Sequence, residues 1–204
     1  MALATYSDLQ ASVAGWLVKT NLTAVIPDFI ALCEAQMNRR LRIRLMETTL
    51  ALVTVAGTAT VALPTGFKRG RYIYIDSDPD KPLSYRTPEQ MVAEYPNSTQ
   101  GKPTVYTLQG DNIKFAPVPD AIYSIGGIYW KAVTALSVSA PTNSMLTTNP
   151  DAYLYGTLMQ TAPYLKQDTR IAIWAGLYEQ ILTDIQAEDD SDRHSGSSLQ
   201  MRSD

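Results

Sequence analysis

The chain has 204 residues, 45% of them hydrophobic, which gives room for one sizeable core, or one core with an insert, and excludes a disordered chain. Only 18% are charged, and 17 basic against 20 acidic side chains leave a net charge of −3, which argues against a protein that grips nucleic acid through a basic face. One cysteine, Cys33, allows no internal disulfide, and one histidine, His194, cannot build a His-containing metal cage.

Two amphipathic helices are predicted first. Leu9, Val13, Trp16 and Leu17 recur at three and four residues and share a face, with Thr5 or Ser7 as the cap. The second helix runs from about Pro27 to about Arg44, proline being harmless in a first turn. Its stripe is Ile26, Ile30, Cys33, Met37 and Leu41, which makes Cys33 a small core hydrophobe rather than a nucleophile. The short polar link from Lys19 to Thr23 predicts that the two helices are antiparallel neighbours. Residues 1–8 lack the basic and apolar parts of a signal peptide, and no run of about 18 apolar residues occurs. The expected setting is the cytosol, or an assembly built there, without a membrane span.

From Met46 the hydrophobic period turns to two. Leu50, Leu52, Val53 and Val55, then Gly57-Thr58, then Val61 and Leu63 predict a hairpin. Tyr72 to Ile75 is a third strand, ended by a turn cluster over residues 76–80, and Pro82 to Arg86 is a short extended piece. Thr87-Pro88-Glu89-Gln90 opens a short helix to about Tyr95. Pro103 to Leu108 and Ile113 to Ala116 form a hairpin around Gly110-Asp111-Asn112. A last strand covers Ile122 to Val133, with Gly126-Gly127 marking a bulge or bend. Helices return after Pro141: one with the stripe Leu154, Leu158, Ala162 and Leu165, begun by Asn149-Pro150-Asp151, and one capped by Asp168 with Ile171, Trp174, Leu177, Ile181 and Ile185. Acids crowd the end of the last helix and oppose its dipole, so it is expected to fray before they end. Residues 195–204 are expected to form a flexible tail. The predicted class is α+β: an antiparallel bundle of two N-terminal and two C-terminal helices (residues 1–45 and 141–194) with a β-rich insertion (46–133).

Catalysis needs an activated nucleophile, a base or a metal. His194 lies in a polar stretch, no glycine-rich phosphate loop leads into a helix, and Asp76, Asp78 and Asp80 are broken by Pro79 and lack the glycine and closing Glu of a calcium loop. The expectation is no enzyme, no cofactor and no metal. Two charge clusters remain. Arg39, Arg40, Arg42 and Arg44 suit a helix C-terminus, and serve either that dipole or docking onto an acidic partner. Asp184, Glu188, Asp189, Asp190 and Asp192 are the matching acids, expected on a neighbouring copy. A DNA-reading helix is a poor third, because no helix-turn-helix spacing accompanies the arginines. The twelve tyrosines, Tyr153, Tyr155, Tyr164 and Tyr178 among them, suit boundary packing or interfaces.

Three runs carry a resemblance: Pro27-Asp28-Phe29-Ile30-Ala31-Leu32-Cys33-Glu34-Ala35-Gln36-Met37-Asn38-Arg39; Lys102-Pro103-Thr104-Val105-Tyr106-Thr107-Leu108 with Phe115-Ala116-Pro117-Val118-Pro119-Asp120 behind it; and Pro150-Asp151-Ala152-Tyr153-Leu154-Tyr155-Gly156. In this order and spacing, from about Tyr6 to Met201, the chain resembles the head-to-tail adaptors of tailed bacteriophages. Gly126-Gly127 departs from the apolar strand residues expected there. The resemblance implies a structural virion protein, a ring of twelve copies between the portal protein and the tail (nozzle, hub or fibre) proteins. It implies a channel through which double-stranded DNA passes without sequence-specific binding, assembled in the host cytoplasm, and a helical bundle carrying a β-rich insertion.

Ring formation through two different patches needs only that they complement each other, and the clusters at 39–44 and 184–192 are candidates for such contacts. In the tail, Ser195, Leu199, Met201 and Arg202 are candidates for portal docking. Ordering ten residues costs roughly 1–2 kcal/mol each, and burying Leu199 and Met201 returns about 1.5–3 kcal/mol apiece, so backbone pairing with a partner would be needed. The alternatives are another connector-stack component, a stopper or tail-completion protein, or a β-rich module that binds a glycan or receptor. That module would expose sheet aromatics, whereas a ring subunit buries Tyr72, Tyr74 or Tyr129 within or between copies.

Overall fold

In the computed structural model of the protein, residues 3–18, 20–95, 99–165 and 169–194 are described. They form six α-helices and two four-stranded sheets, an α+β fold. Contacts divide the chain into two compact units, one from the residues up to Leu45 with those from Val133 on, the other Met46–Ala132.

In the helical unit, α1 (Tyr6–Leu17) starts at Thr5, whose hydroxyl accepts from the Asp8 N–H while the Asp8 carboxylate accepts from the Thr5 N–H. Two otherwise unpaired donors are satisfied at once. Leu9, Val13 and Leu17 are buried, but Trp16 sits at the edge of the stripe, 45% exposed, against the rim of the Tyr155 ring. A 3₁₀ turn, Thr20–Val25, leads into α2 (Ile26–Arg40), which ends four residues before the expected Arg44. All five stripe residues of α2 are buried. A short helix that the periodicity missed, α4 (Ser144–Thr148), is capped by the Asn143 side chain.

The central element is α5 (Pro150–Met159), against which α1, α2, α4 and α6 (Arg170–His194) all pack. Ala152, Tyr153, Leu154, Gly156, Thr157 and Leu158 are all buried, as a helix surrounded by neighbours requires. It ends at Met159, short of the expected Leu165, and the chain turns over residues 160–165 with Ala162 exposed. The buried face of α6 is Trp174, Tyr178, Leu182, Ile185 and Asp189; Leu177 is exposed and Ile171 and Ile181 are half-buried. The expected stripe is thus rotated toward Tyr178. Gly156 explains the rotation: a Cβ there would lie 2.7 Å from Tyr178 Cε2 and 2.5 Å from Cys33 Sγ, so its absence leaves space for the ring against α5. The expected cap, Asp168, lies outside the described residues.

The sheet unit contains β1 (Glu47–Val53), β2 (Thr60–Ala62), β3 (Phe67–Ile75), β4 (Asp78–Pro82), β5 (Ser84–Tyr85), α3 (Pro88–Glu94), β6 (Val105–Gln109), β7 (Asn112–Ala116) and β8 (Ser124–Lys131). One sheet runs β1-β8-β3-β4, all antiparallel; the other runs β2-β7-β6-β5, with β5 parallel to β6. Leu50, Ile73, Ile75 and Ile125 from the first and Tyr106, Ile113 and Phe115 from the second share one core. The predicted β6–β7 hairpin and the α3 capping box, Thr87 with Gln90, are present.

Three expectations are corrected. The turn at Gly57, φ +77°, closes a bridge between Val55 and Thr58, but the strands on either side part: β1 pairs with β8, and β2 with β7. Burying both apolar faces in one two-sheet core outweighs local pairing. The expected turn cluster at 76–80 is shorter, because Asp78 already begins β4. Gly126 and Gly127 mark no bulge; their pairing with Ala51 and Leu50 is regular. They mark close approach. A Cβ on Gly127 would collide with the Tyr72 carbonyl oxygen and stand 3.1 Å from Ile73 Cα, and one on Gly126 would meet the Tyr74 ring tip and the Asp76 carboxylate.

Candidate functional site

The arginines at the end of α2 and the acids of α6 meet within one chain. Arg40 makes a two-pronged ion pair with Glu179. Its hydrogen bonds hold the Glu179 carboxyl below its ordinary range and raise the guanidinium's own pKa. Both side chains are about half exposed (40% and 51%), so the pair contributes only about 0–1 kcal/mol. Arg42 donates to the Asn38 carbonyl at 2.9 Å and to the Leu41 carbonyl, closing free acceptors at the helix end.

Arg44 is held harder. Asp189 Oδ1 accepts from its backbone N–H at 2.9 Å and its Nε at 3.1 Å, and Asp192 from its Nη2 at 2.5 Å. Asp189 Oδ2 pairs with Arg193 Nη2 at 2.8 Å, and Arg193 also reaches the Arg42 carbonyl. Asp189 is 8% exposed. These bonds also correct the expected fraying: α6 continues to His194 because the acid that opposes its dipole is neutralised from two sides. Of these two clusters, Arg39 on α2 and Asp184, Glu188 and Asp190 on α6 remain exposed without an ion pair among the described residues. The tail candidates Ser195, Leu199, Met201 and Arg202 lie outside the described residues.

A second polar constellation escaped the sequence reading. Glu34 of α2 is 5% exposed, and its Oε1 accepts from the Leu136 N–H at 2.8 Å and the Tyr153 hydroxyl at 3.1 Å. Asn143 Nδ2 donates to that hydroxyl and to the Thr134 carbonyl, each at 2.7 Å, and Asn38 Oδ1 accepts from the Val133 N–H at 2.8 Å. Together they fasten the segment entering at Val133 onto α2 and α5. Burial pushes the Glu34 carboxyl above its ordinary value, against the lowering effect of the Leu136 and Tyr153 bonds. The signal was present: Glu34 stands four residues after Ile30 and three before Met37, on the buried face by period.

Other candidates resolve as structure. Burial pushes the Cys33 thiol up to about 12, where it is an inert core group. Asp78 pairs with Lys102 at 3.2 Å and Lys81 at 3.7 Å. Among the described residues no group of three or more His, Cys, Asp or Glu is placed to hold a metal ion, and no helix is long and apolar enough to cross a membrane. Tyr153, Tyr178 and Tyr129 are buried, Tyr155 and Tyr74 half-buried, and Tyr164 and Tyr72 are 52% and 38% exposed.

The arrangement is therefore one of surfaces and fastenings. No curated protein matches the chain. A family model does, that of the SU10 adaptor protein, over residues 4–202, which takes in both units, and the resemblance to phage head-to-tail adaptors holds. On that match, spanning nearly its whole length, the chain belongs to the SU10 adaptor protein family.

Proposed function

We propose that this protein is a structural head-to-tail adaptor whose copies close into a ring, of twelve by the resemblance, between portal and tail. The family match over residues 4–202 carries the reading. The ring continues the DNA channel, and a net charge of −3 suits a wall along which phosphates slide rather than stick. Such rings join unlike patches on neighbouring copies, and charges left over after the internal pairs, such as Arg39, Glu188 and Asp190, are available to set register. Exposed charges would contribute little affinity, so buried apolar area has to supply most of it. Residues 195–204 belong to this reading as the portal-contacting segment. The test is a map of the capsid vertex in intact particles, with light scattering of the purified protein with and without portal. A closed collar of this chain beneath the portal is expected; a lone monomer away from the vertex overturns the proposal.

A further inference from the structure

An antiparallel sheet with one face on a core usually turns polar residues outward. The outer face of the β1-β8-β3-β4 sheet is mixed: an Arg71–Glu47 ion pair at 2.6 Å stands at one end, and beyond it Thr49 and Ser124 share the face with Ala51, Val53, Tyr72, Tyr74 and Ile128. Register aligns Thr49, Ala51 and Val53 of β1 with Ile128, Gly126 and Ser124 of β8, and Tyr72 and Tyr74 of β3 with Ile128 and Gly126. Val53 is 57% exposed, Tyr72 38% and Ile128 36%. Tyr72 is held in place, its hydroxyl donating to the Pro79 carbonyl at 2.6 Å and its ring 5.1 Å from that of Tyr74. Beside Tyr74 lies a hollow of about 300 Å³ whose walls include Ala51, Val53, Asp76 and Gly126. Apart from the Arg71–Glu47 pair, the charges left at the two ends of this face are opposite. Arg69 stands level with Trp130 and Asp76 level with Ser124, both exposed and without an ion pair among the described residues.

The complementary shape is on the same chain. On α6, Ile173 and Leu177 are 62% and 36% exposed, and Asp184 and Glu188 follow at steps of seven and four, which keeps all four on one face. The spacings agree. Ile173 lies eleven residues, ~16 Å, before Asp184 along a helix, and Leu177 ~10 Å before it. Measured along β8 from the level of Arg69, Tyr72 lies ~7 Å away, Tyr74 ~13 Å and the far end of the hollow ~20 Å. With Asp184 at Arg69 and α6 antiparallel to β3, Leu177 falls between the two tyrosines and Ile173 falls over the hollow. The opposite direction sets Asp184 and Glu188 against Asp76, a like-charge contact.

The geometry points to a contact between copies of this chain in which the outer sheet face of one copy, with Tyr72 and Tyr74, receives the Ile173–Leu177–Asp184 face of α6 from the next. It is a head-to-tail contact, as a ring requires, and it deepens the adaptor reading, on which it rests. It supplies the apolar area that the charged clusters lack, and it buries Tyr72 and Tyr74 between subunits.

The test uses full-length protein with its portal. Reversing either Arg69→Glu or Asp184→Arg is expected to weaken self-association about tenfold or more, and the double reversal to restore most of it. Both positions are exposed, so folding is unaffected. Tyr72→Cys and Leu177→Cys copies should form a disulfide-linked dimer on oxidation when mixed, and neither should do so alone; buried Cys33 does not compete. If Arg69→Glu assembles like the wild type, or Tyr72→Cys links to itself, this contact is wrong while the ring stands. If reversal leaves the ring intact but blocks a tail protein or a host glycan, the face serves that partner and the contact is likewise wrong. If wild-type protein neither associates nor sits at the vertex, the adaptor reading itself fails.

Discussion

In the helical unit the returning chain is fastened by side chains: Glu34, Asn38 and Asn143 take the backbone of residues 133–136, and Asp189 takes the backbone of Arg44. In the sheet unit the fastening is the backbone ladder itself, and side chains chiefly fill the space between two sheets. The same small residue therefore has a different meaning in each. At Gly156 the near atoms belong to the side chains of Cys33 and Tyr178, which a smaller residue can replace; at Gly127 they belong to the Tyr72 and Ile73 backbone, which no substitution removes.

The largest effect expected follows from that contrast. Gly127→Ala forces β3 and β8 apart along a central ladder and should cost more than about 3 kcal/mol, with amide protection lost across the sheet unit. Gly156→Ala overpacks a core and should cost about 1–3 kcal/mol, part of it recovered by adding Cys33→Ala. Urea unfolding combined with hydrogen exchange separates the two. Equal costs, or rescue of Gly127→Ala by trimming a side chain, would break the comparison.

The same contrast decides what the sequence discloses. The α2 stripe was legible because Ile26, Ile30, Cys33, Met37 and Leu41 obey a local period and are all buried. So was the β6–β7 turn, where Gly110 needs its φ of +59°. The pairing of β1 with β8, more than seventy residues away, leaves no local mark, and a glycine turn at 57 suggested the wrong neighbour. On α6 two interleaved stripes share Trp174 and Ile185, and the choice between them was made by a glycine on another helix. At the candidate site the two charge clusters could be found by eye, but not that they close on each other within one chain. The apolar outer sheet face was hidden because which residues point outward depends on that unmarked pairing.

A middle-sized effect tests the side-chain fastening. Glu34→Ala leaves the Leu136 N–H and the Tyr153 hydroxyl without their acceptor and should destabilise the helical unit by about 2–4 kcal/mol. Glu34→Gln keeps an acceptor oxygen and should cost far less. The pH dependence carries a sign. Because the folded carboxyl titrates above its ordinary 4.5, the unfolded chain ionises first, so Glu34's contribution is full below that pH and declines as pH rises through the folded pKa. Stability measured from pH 4 to 8 should therefore move steadily in favour of Glu34→Gln relative to wild type. A constant difference would mean that Glu34 feels no net burial.

The smallest effects lie at the α2–α6 charge cluster, and they separate a charge that fastens backbone from one that only faces another charge. Asp189→Ala removes an acceptor shared by the Arg44 N–H, the Arg44 Nε and Arg193, at a position 8% exposed, and should cost about 1–3 kcal/mol with little dependence on salt. Arg40→Ala removes an exposed pair and should cost less than about 1 kcal/mol, vanishing near 1 M salt. Thermal unfolding of both variants at low and high ionic strength measures the difference. If Arg40→Ala proves as costly as Asp189→Ala and as indifferent to salt, proximity to the α2 end matters more than burial, and the cluster has to be treated as one network rather than as a buried latch beside a surface pair.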